Sequence, residues 1–482
     1  MKNSNVVMSN MLWRLAERFG AKAVQFIVEI VLARLLAPEA YGTIALITVF
    51  ITILQVFVDS GLGNALIQKK DADEIDFSTV FYTNIVFCLV LYAIIFICAP
   101  FIASFYNDPL LTPIVRVLSF TIVISGVKNV QQAYVSRHLM FKRFFYSTLG
   151  GTLLAAVVGI LLAYAGFGVW ALVAQMVVNT AVDTMILWIT VKWRPKRCFS
   201  FERLKRLFSY GWKLLVSALI DTVYNDIRQL IIGKIYTSAD LAQYNQGKKW
   251  PLYLVTNINA SIDSVLLPTM SKEQDNKERV KSMTRRAIKT STYVMMPVMI
   301  GLAVCADTVI SLILTDKWLP CVPFLRIFCI IYSFYPIHTA NLNAIKAMGR
   351  SDLFLVLEII KKVIGITAIL CTMWISVMAM AYSLLVTCVL SQIINAYPNK
   401  KLLNYSYLDQ IKDMLPQIGV SLLMGAVVYS IYFIGLGDIL TLVIQIPVGI
   451  VVYIVGSKIF HIDSFEYIIS MIKSLTSKKK KA

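Results

Sequence analysis

Charge is what this chain has least of. Only 15% of its 482 residues are Asp, Glu, Lys or Arg, against 58% hydrophobic, and the mean hydropathy is +0.71. That balance excludes a water-soluble globular protein and describes a chain that crosses a membrane many times. Histidine is nearly missing. His138, His338 and His461 lie far apart in sequence and form no ligand cluster. The eight cysteines are scattered, mostly within apolar runs, and indicate neither a disulfide framework nor a metal site. No glycine-rich phosphate loop is present, so the chain does not hydrolyse ATP itself. Asp71-Ala-Asp73 has the form of a metal-binding acidic pair, but no nucleotide-binding domain surrounds it, and it reads as a solvated acidic turn. The outer loops are too short for a polymerase or ligase site. Neither an enzyme activity nor a cofactor is expected. A cleavable signal is also missing: Arg18 and Lys22 interrupt the first apolar run, which has no small-residue cleavage site.

What is present is an alternation of long apolar runs and charged connections. About fourteen spans are expected, near 12–36, 41–66, 79–105, 110–136, 144–165, 168–191, 208–235, 240–270, 288–314, 320–346, 353–374, 376–397, 415–435 and 438–459. Every second connection is basic. One set holds Lys69 and Lys70, then Arg137, Lys142 and Arg143, then the run from Lys192 to Arg206, then Lys272 to Lys289. Lys346 with Arg350, and Lys400, Lys401 and Lys412, continue it. The other set carries Lys317 and almost nothing else basic. This asymmetry places both termini in the cytoplasm. The net charge of +19 is therefore mostly topology plus a lysine-rich tail, and nucleic acid is not an expected partner. The loop 192–206 is the candidate linker between two helical bundles. The division expected is 1–197, 198–398, and 399–482 as two additional spans with a basic tail.

The first apolar run carries charges that a lipid-facing helix would not. Lys22 lies ten residues into it, about 15 Å deep in a hydrocarbon core of roughly 30 Å. A charge there costs about 2.5–3.5 kcal/mol even on the lenient insertion scale, so it should face protein or water. Arg14, Arg18, Lys22, Gln25 and Glu29 fall on one helical face, with Val24, Ile27, Val28 and Val31 opposite. The pattern has an echo. Val58-Asp59-Ser60-x-Leu62 matches Ile262-Asp263-Ser264-x-Leu266 at an offset of 204 residues (263 − 59), where Thr52 also meets Thr256 and Gln55 meets Asn259. Before the second copy, Lys213, Ser217, Asp221, Tyr224, Asn225 and Arg228 again share a helical face. Two copies of a bundle with polar-faced first helices are the expectation.

Of the remaining intramembrane charges, Lys128, Lys249 and Arg326 join the cavity-lining candidates, whereas Asp307, Glu358, Lys361 and Lys362 lie near span ends and read as snorkelling or structural. The alternative for Arg14, Arg18 and Lys22 is pairing with Glu17 and Glu29, which would only hold the helix in place. Pro297, Pro323 and Pro336 are expected to kink their spans. Residues 461–482 read as an amphipathic helix, Phe465, Ile468, Ile469, Ile472 and Leu475 on one face, lying on an anionic leaflet ahead of Lys478–Lys481.

Several longer motifs now point to a family. Leu35-Leu36-Ala37-Pro38-Glu39-Ala40-Tyr41-Gly42, then Asp59-Ser60-Gly61-Leu62 with Ala65 to Asp71, resembles the opening of the Wzx-type polysaccharide flippases. Gly168-Val169-Trp170-Ala171-Leu172, Lys192-Trp193-Arg194-Pro195 and Lys317-Trp318-Leu319-Pro320 extend the likeness, as do Tyr335 to His338, Gly349 to Leu353 and Glu358 to Lys362. It is nearest to the branch with the colanic acid and teichuronic acid exporters, and covers roughly residues 10 to 430. The resemblance implies membership of the multidrug/oligosaccharidyl-lipid/polysaccharide exporter superfamily. The implied fold is all-α and polytopic, two pseudo-symmetric six-helix bundles around a central cavity plus two extra helices. The implied activity is flipping of undecaprenyl-diphosphate-linked oligosaccharide across the bacterial cytoplasmic membrane by alternating access, for surface polysaccharide export. Membrane lipids surround it, and a polysaccharide polymerase and glycosyltransferases are implied partners.

A cationic stripe suits a diphosphate and acidic sugars. Arg14, Arg18, Lys22, Gln25, Glu29, Lys128, Lys213, Asp221, Arg228, Lys249 and Arg326 are accordingly the candidate substrate-binding set, with no metal site. The alternative is a proton- or sodium-coupled small-molecule exporter of the same superfamily, for which twelve spans and a carboxylate-dominated site would be expected.

Overall fold

Every regular element among the described residues of the computed structural model is helical; the structure describes residues 2–59, 62–69 and 71–479. The chain divides into two units, residues 1–242 and 243–482. The first contains α1 (Lys2–Leu35), α2 (Pro38–Asp59), α3 (Leu62–Gln68), α4 (Glu74–Tyr106), α5 (Leu111–Arg137), α6 (Phe141–Tyr164), α7 (Val169–Thr190) and α8 (Phe201–Ile235). The division falls in the first turns of α9 (Ser238–Lys272). The second unit continues with α10 (Lys277–Val304), α11 (Ala306–Leu314), a 3-10 turn (Asp316–Cys321), α12 (Val322–Ser333) and α13 (Tyr335–Ala347). It ends with α14 (Ser351–Thr372), α15 (Val377–Leu403), α16 (Tyr407–Ser430), α17 (Asp438–Ile459) and α18 (Asp463–Lys479).

Each expected span falls on helix. Among the described residues ten helical stretches are long and apolar enough to cross a membrane. The expected spans outside that set lie on α1, α8, α9 and α14, which are long enough but too polar to qualify on composition. The run 41–66 covers α2 and α3, residues 60–61 lying outside the described ones. Two spans are each divided between two α-helices. The run 288–314 breaks at Cys305, between α10 and α11. The run 320–346 breaks at Phe334. Pro323 and Pro336, expected as kinks, instead occupy the first turns of α12 and α13, where a missing N–H costs no helical bond. Pro297 does lie inside α10.

Side chains close the helix ends as the sequence allows. Asp73 caps α4 in a reciprocal box with Asp76, Ser406 caps α16 likewise with Asp409, and Asn276 and Ser376 cap α10 and α15. Within the membrane, where lipid is as apolar as leucine, close packing replaces hydrophobic drive. The α6–α7 contact shows it: a Cβ at Gly151 would stand 3.0 Å from the Asn179 carbonyl oxygen. At one end of the first unit Trp193 is buried among Phe77, Phe81 and Tyr134, ring centroids 5.9, 6.1 and 6.2 Å away.

The segment read as a linker is pinned down over 192–200. Lys196 and Ser200 donate their backbone N–H groups to the Ser78 and Thr79 hydroxyls at 3.0 and 3.1 Å, and Gln131 donates to the Trp193 carbonyl at 3.1 Å. From Phe201 onward the run is helix α8. The tail differs too. Phe465 and Ile468 of α18 pack on a core cluster of the second unit around Tyr293, Val420 and Tyr453, so part of the expected lipid-facing stripe is used by protein. The Ile472 and Leu475 side chains and Lys480–Lys481 lie outside the described residues.

Candidate functional site

Two exposed polar helix faces, both in the first unit, carry most of the candidates. On α1, Val28 and Leu32 are buried against α6, which turns Lys22 and Gln25 outward and leaves Glu29 half-buried. The Arg14 and Arg18 side chains lie outside the described residues. On α8, Lys213, Ser217, Asp221 and Asn225 are exposed at spacings of four, and the same face ends at Arg228, which is buried. Each face carries a lysine and a carboxylate, Lys22 with Glu29 on α1 and Lys213 with Asp221 on α8.

The other cations are engaged by their own units. Lys128 Nζ of α5 donates to Asp183 Oδ2 of α7 at 3.0 Å, each side chain 16% exposed. One residue on, Asn129 donates to Asp59 Oδ1 at 3.4 Å, which also accepts from Gln55 at 3.0 Å, and Asn84 donates to Asn129 at 3.3 Å. Charge and amides thus tie α2, α4, α5 and α7 into one cluster. In the second unit Arg326 pairs with Asp307 and donates to the Ala303 carbonyl at 3.2 Å, and Lys249 lies over the Tyr253 ring, 5.8 Å from its centroid. The structure therefore gathers Lys128 into a carboxylate cluster and Arg326 onto its neighbour, leaving Lys22 and Lys213 exposed.

The second unit has the counterpart of the Asp59 cluster. Asp263 Oδ1 accepts from Asn343 at 2.8 Å, and Thr339 donates to Asn259 at 2.7 Å. A run of buried amides adjoins it: Asn399 donates to Asn341 Oδ1 at 2.8 Å, and Gln410 donates to the same oxygen at 2.9 Å. His338, read from the sequence as isolated, has Nδ1 3.0 Å from the Asn395 amide nitrogen. The amide must donate, so Nδ1 accepts and the proton resides on Nε2, which is 3.7 Å from Cys388 Sγ. The sequence signal for this network was Gln392, Asn395 and Asn399, spaced three and four along an apolar run.

Outside the spans, Asp71 and Asp73 are exposed, as a solvated acidic turn should be, and Asp73 has structural partners as well. It caps α4 and pairs with Arg203, whose guanidinium holds the carboxyl down at about 2. No group of His, Cys, Asp and Glu among the described residues is arranged to hold a metal ion.

The family described as polysaccharide biosynthesis protein matches residues 31–323. This chain belongs to that family. Among relatives of the polysaccharide biosynthesis chain, the succinoglycan biosynthesis transport protein ExoT of Rhizobium meliloti (strain 1021) is 22% identical, over 66% of this chain and 64% of its own. The teichuronic acid biosynthesis protein TuaB of Bacillus subtilis (strain 168) is 27% identical, over 62% of each. Both alignments span less than two thirds of those relatives. The lipopolysaccharide biosynthesis protein WzxC of Escherichia coli (strain K12) is 24% identical over 82% of this chain and 83% of its own. In fold, the chain is similar to the lipid II flippase MurJ in its inward closed conformation, with TM-score 0.76, 16% identity and 94% and 99% of the two chains covered. It is also similar to an inward-facing multidrug resistance MATE family transporter, with TM-score 0.62, 16% identity and 82% and 99% covered. The resemblance read from the motifs is borne out, and the fold is that of all-α, multi-pass membrane transporters.

Proposed function

We propose that this polysaccharide biosynthesis protein translocates undecaprenyl-diphosphate-linked oligosaccharide units across the bacterial cytoplasmic membrane, without catalysing a reaction, both termini in the cytoplasm. One observation carries the reading: in a chain of this family, Lys22, which a count along the first apolar run puts about mid-bilayer, stands on an exposed polar face of α1, and Lys213 on an exposed polar face of α8. A cation at that depth is costly unless water or an anionic ligand meets it. Arg14, Arg18, Gln25, Glu29, Asp221, Arg228 and Lys249 complete the proposed substrate-facing set. Lys128 and Arg326, bound to carboxylates, are reassigned to holding helices together. The bundles 1–197 and 198–398, with 399–482 as an addition, belong to the same reading, as do neighbouring glycosyltransferases and a polymerase. A proton- or sodium-coupled exporter would be expected to have a carboxylate-dominated site, whereas on the exposed faces of α1 and α8 the acids Glu29 and Asp221 stand beside Lys22 and Lys213.

A charge-assisted hydrogen bond is worth about 1.5–3 kcal/mol, so losing one weakens substrate binding roughly tenfold to a hundredfold. Lys22→Ala and Lys213→Ala are expected to cut surface glycan export at unchanged protein level, Lys22→Arg to retain it, and Arg18→Lys to be impaired because lysine cannot grip phosphate in two places. Wild-type export from both alanine variants at normal abundance would refute the cationic-face reading. Export that falls only in step with protein level would make these residues structural.

A further inference from the structure

A groove of about 680 Å³ lies in the second unit between α9 and α10, with α18 at one end. Its walls are apolar: Ile262 and Val265 from α9, Val294 from α10. Toward its Met283 end stands Arg286, whose guanidinium lies 5.0 Å from the centre of the Tyr467 ring, and Thr290 lines it one turn further along α10. The two cations flanking Arg286 along α10 are each neutralised. Arg285 makes a two-pronged pair with Asp413 at 2.6 and 2.7 Å, and Lys289 pairs with Asp463. Arg286 is exposed, and among the described residues no carboxylate stands within ion-pair distance of it. The groove therefore combines a long apolar wall with a single unneutralised guanidinium at one end.

Its length and its charge select the occupant. The lining runs from Ile258 to Thr269 on α9 and from Met283 to Val294 on α10, about 16 Å on each helix at 1.5 Å per residue, which is close to the hydrocarbon depth of one leaflet, about 15 Å. The Arg286 end is also the end of the loop that carries Lys272, Lys277, Arg279 and Lys281. A chain the length of one leaflet with an anion at its head fills both halves of this description. A polyprenyl chain is several times too long for it, and a free phosphate would leave the apolar wall uncovered. We propose that this groove is a binding site for one anionic phospholipid, its phosphate on Arg286 beside Val265 and one acyl chain running past Ile262 toward Ile258 and Val294, with the tail helix latched over the headgroup by Tyr467. The site is distinct from the exposed faces of α1 and α8, and its test does not depend on what the protein transports.

Full-length protein purified in a mild detergent would be titrated with phosphatidylglycerol, and separately with phosphatidylcholine of the same chains, bound lipid being counted by native mass spectrometry. Wild type should hold one phosphatidylglycerol and bind phosphatidylcholine at least about tenfold more weakly. Arg286→Gln should erase that preference, Arg286→Lys should keep most of it, and Val265→Trp, which fills the groove, should weaken both lipids. Each variant must elute as wild type on size exclusion, and Lys281→Gln outside the groove should bind normally. Equal affinity for the two lipids in wild type would overturn the proposal. So would normal phosphatidylglycerol binding by both Arg286→Gln and Val265→Trp. Displacement of the lipid by millimolar inorganic phosphate would identify an anion site without a chain groove, which also overturns it.

Discussion

Removing Lys128 should unsettle the first unit, and restoring neutrality should repair it. The ammonium lies 3.0 Å from the Asp183 carboxylate, and both side chains are 16% exposed, so Lys128→Ala strands a mostly buried anion. Breaking such a pair from one side costs about 3–5 kcal/mol. For a unit of this size, at roughly 2–4 °C per kcal/mol, the apparent melting midpoint should fall by something on the order of 10 °C. Lys128→Met with Asp183→Leu leaves no orphaned charge and should recover most of the loss, because a buried pair contributes little beyond an apolar replacement. The assay is the thermal decay of the monodisperse peak on size exclusion in one detergent, for both singles and the double. Asp59 also lies in the field of Lys128, so the cycle should be repeated with Asp59→Asn to isolate the Asp183 component. Additive losses, with the double worse than either single, would refute the pairing argument. Wild-type stability of Lys128→Ala with abolished export would return Lys128 to the substrate-facing set.

Asp59→Ala and Asp263→Ala should each lower the amount of protein in the membrane more than they lower export per molecule, because each deprives a buried asparagine, Asn129 or Asn343, of its acceptor; Asp→Asn should be milder, and normal protein with no export would contradict this. His338→Phe strands the Asn395 amide and should cost about 1–3 kcal/mol of stability, read as a lower melting midpoint, with His338→Gln intermediate. The Asp73–Arg203 tie carries a pH signature. The carboxyl is depressed in the fold to about 2, so its contribution is complete above the ordinary aspartate value and is lost as pH falls through roughly 4 toward 2. The stability gap between wild type and Asp73→Ala, measured by melting across that range, should therefore narrow on acidification; a gap independent of pH would leave only the backbone cap.

Helices and their exposed faces were legible because both are local. Lys22 and Gln25, or Lys213, Ser217 and Asp221, are related by three or four residues, and periodicity alone places them together. The chain breaks were less legible. Pro336 reads equally as a kink or a helix start, and only the packed structure puts Phe334 at a boundary. Partners distant in sequence were not legible at all. Nothing near Lys128 names Asp183, which is fifty-five residues away, and nothing near His338 names Asn395, fifty-seven away. The tail misled for a related reason: the stripe of Phe465 and Ile468 fixes an apolar face but not what covers it, and here the cover is protein.

Charge inside the spans thus sorts by exposure rather than by depth. Depth alone put Lys22, Lys128, Lys213 and Arg326 in one class. Carboxylates then claim Lys128 and Arg326, and the cost of carrying those two cations is met by tying helices to one another. Lys22 and Lys213 stand on exposed faces of α1 and α8 instead. The same division separates the carboxylates. Asp59 and Asp263 hold asparagines at matching points of the two sequence repeats, so the repeat preserves a joint as well as a polar face. A carrier that must change shape needs both kinds of polarity: joints that keep each unit whole while it moves, and surfaces that water or an anion can reach. Exchanging their roles is the sharpest trial of that division. Neutralising the joints should cost protein, and neutralising the faces should cost transport.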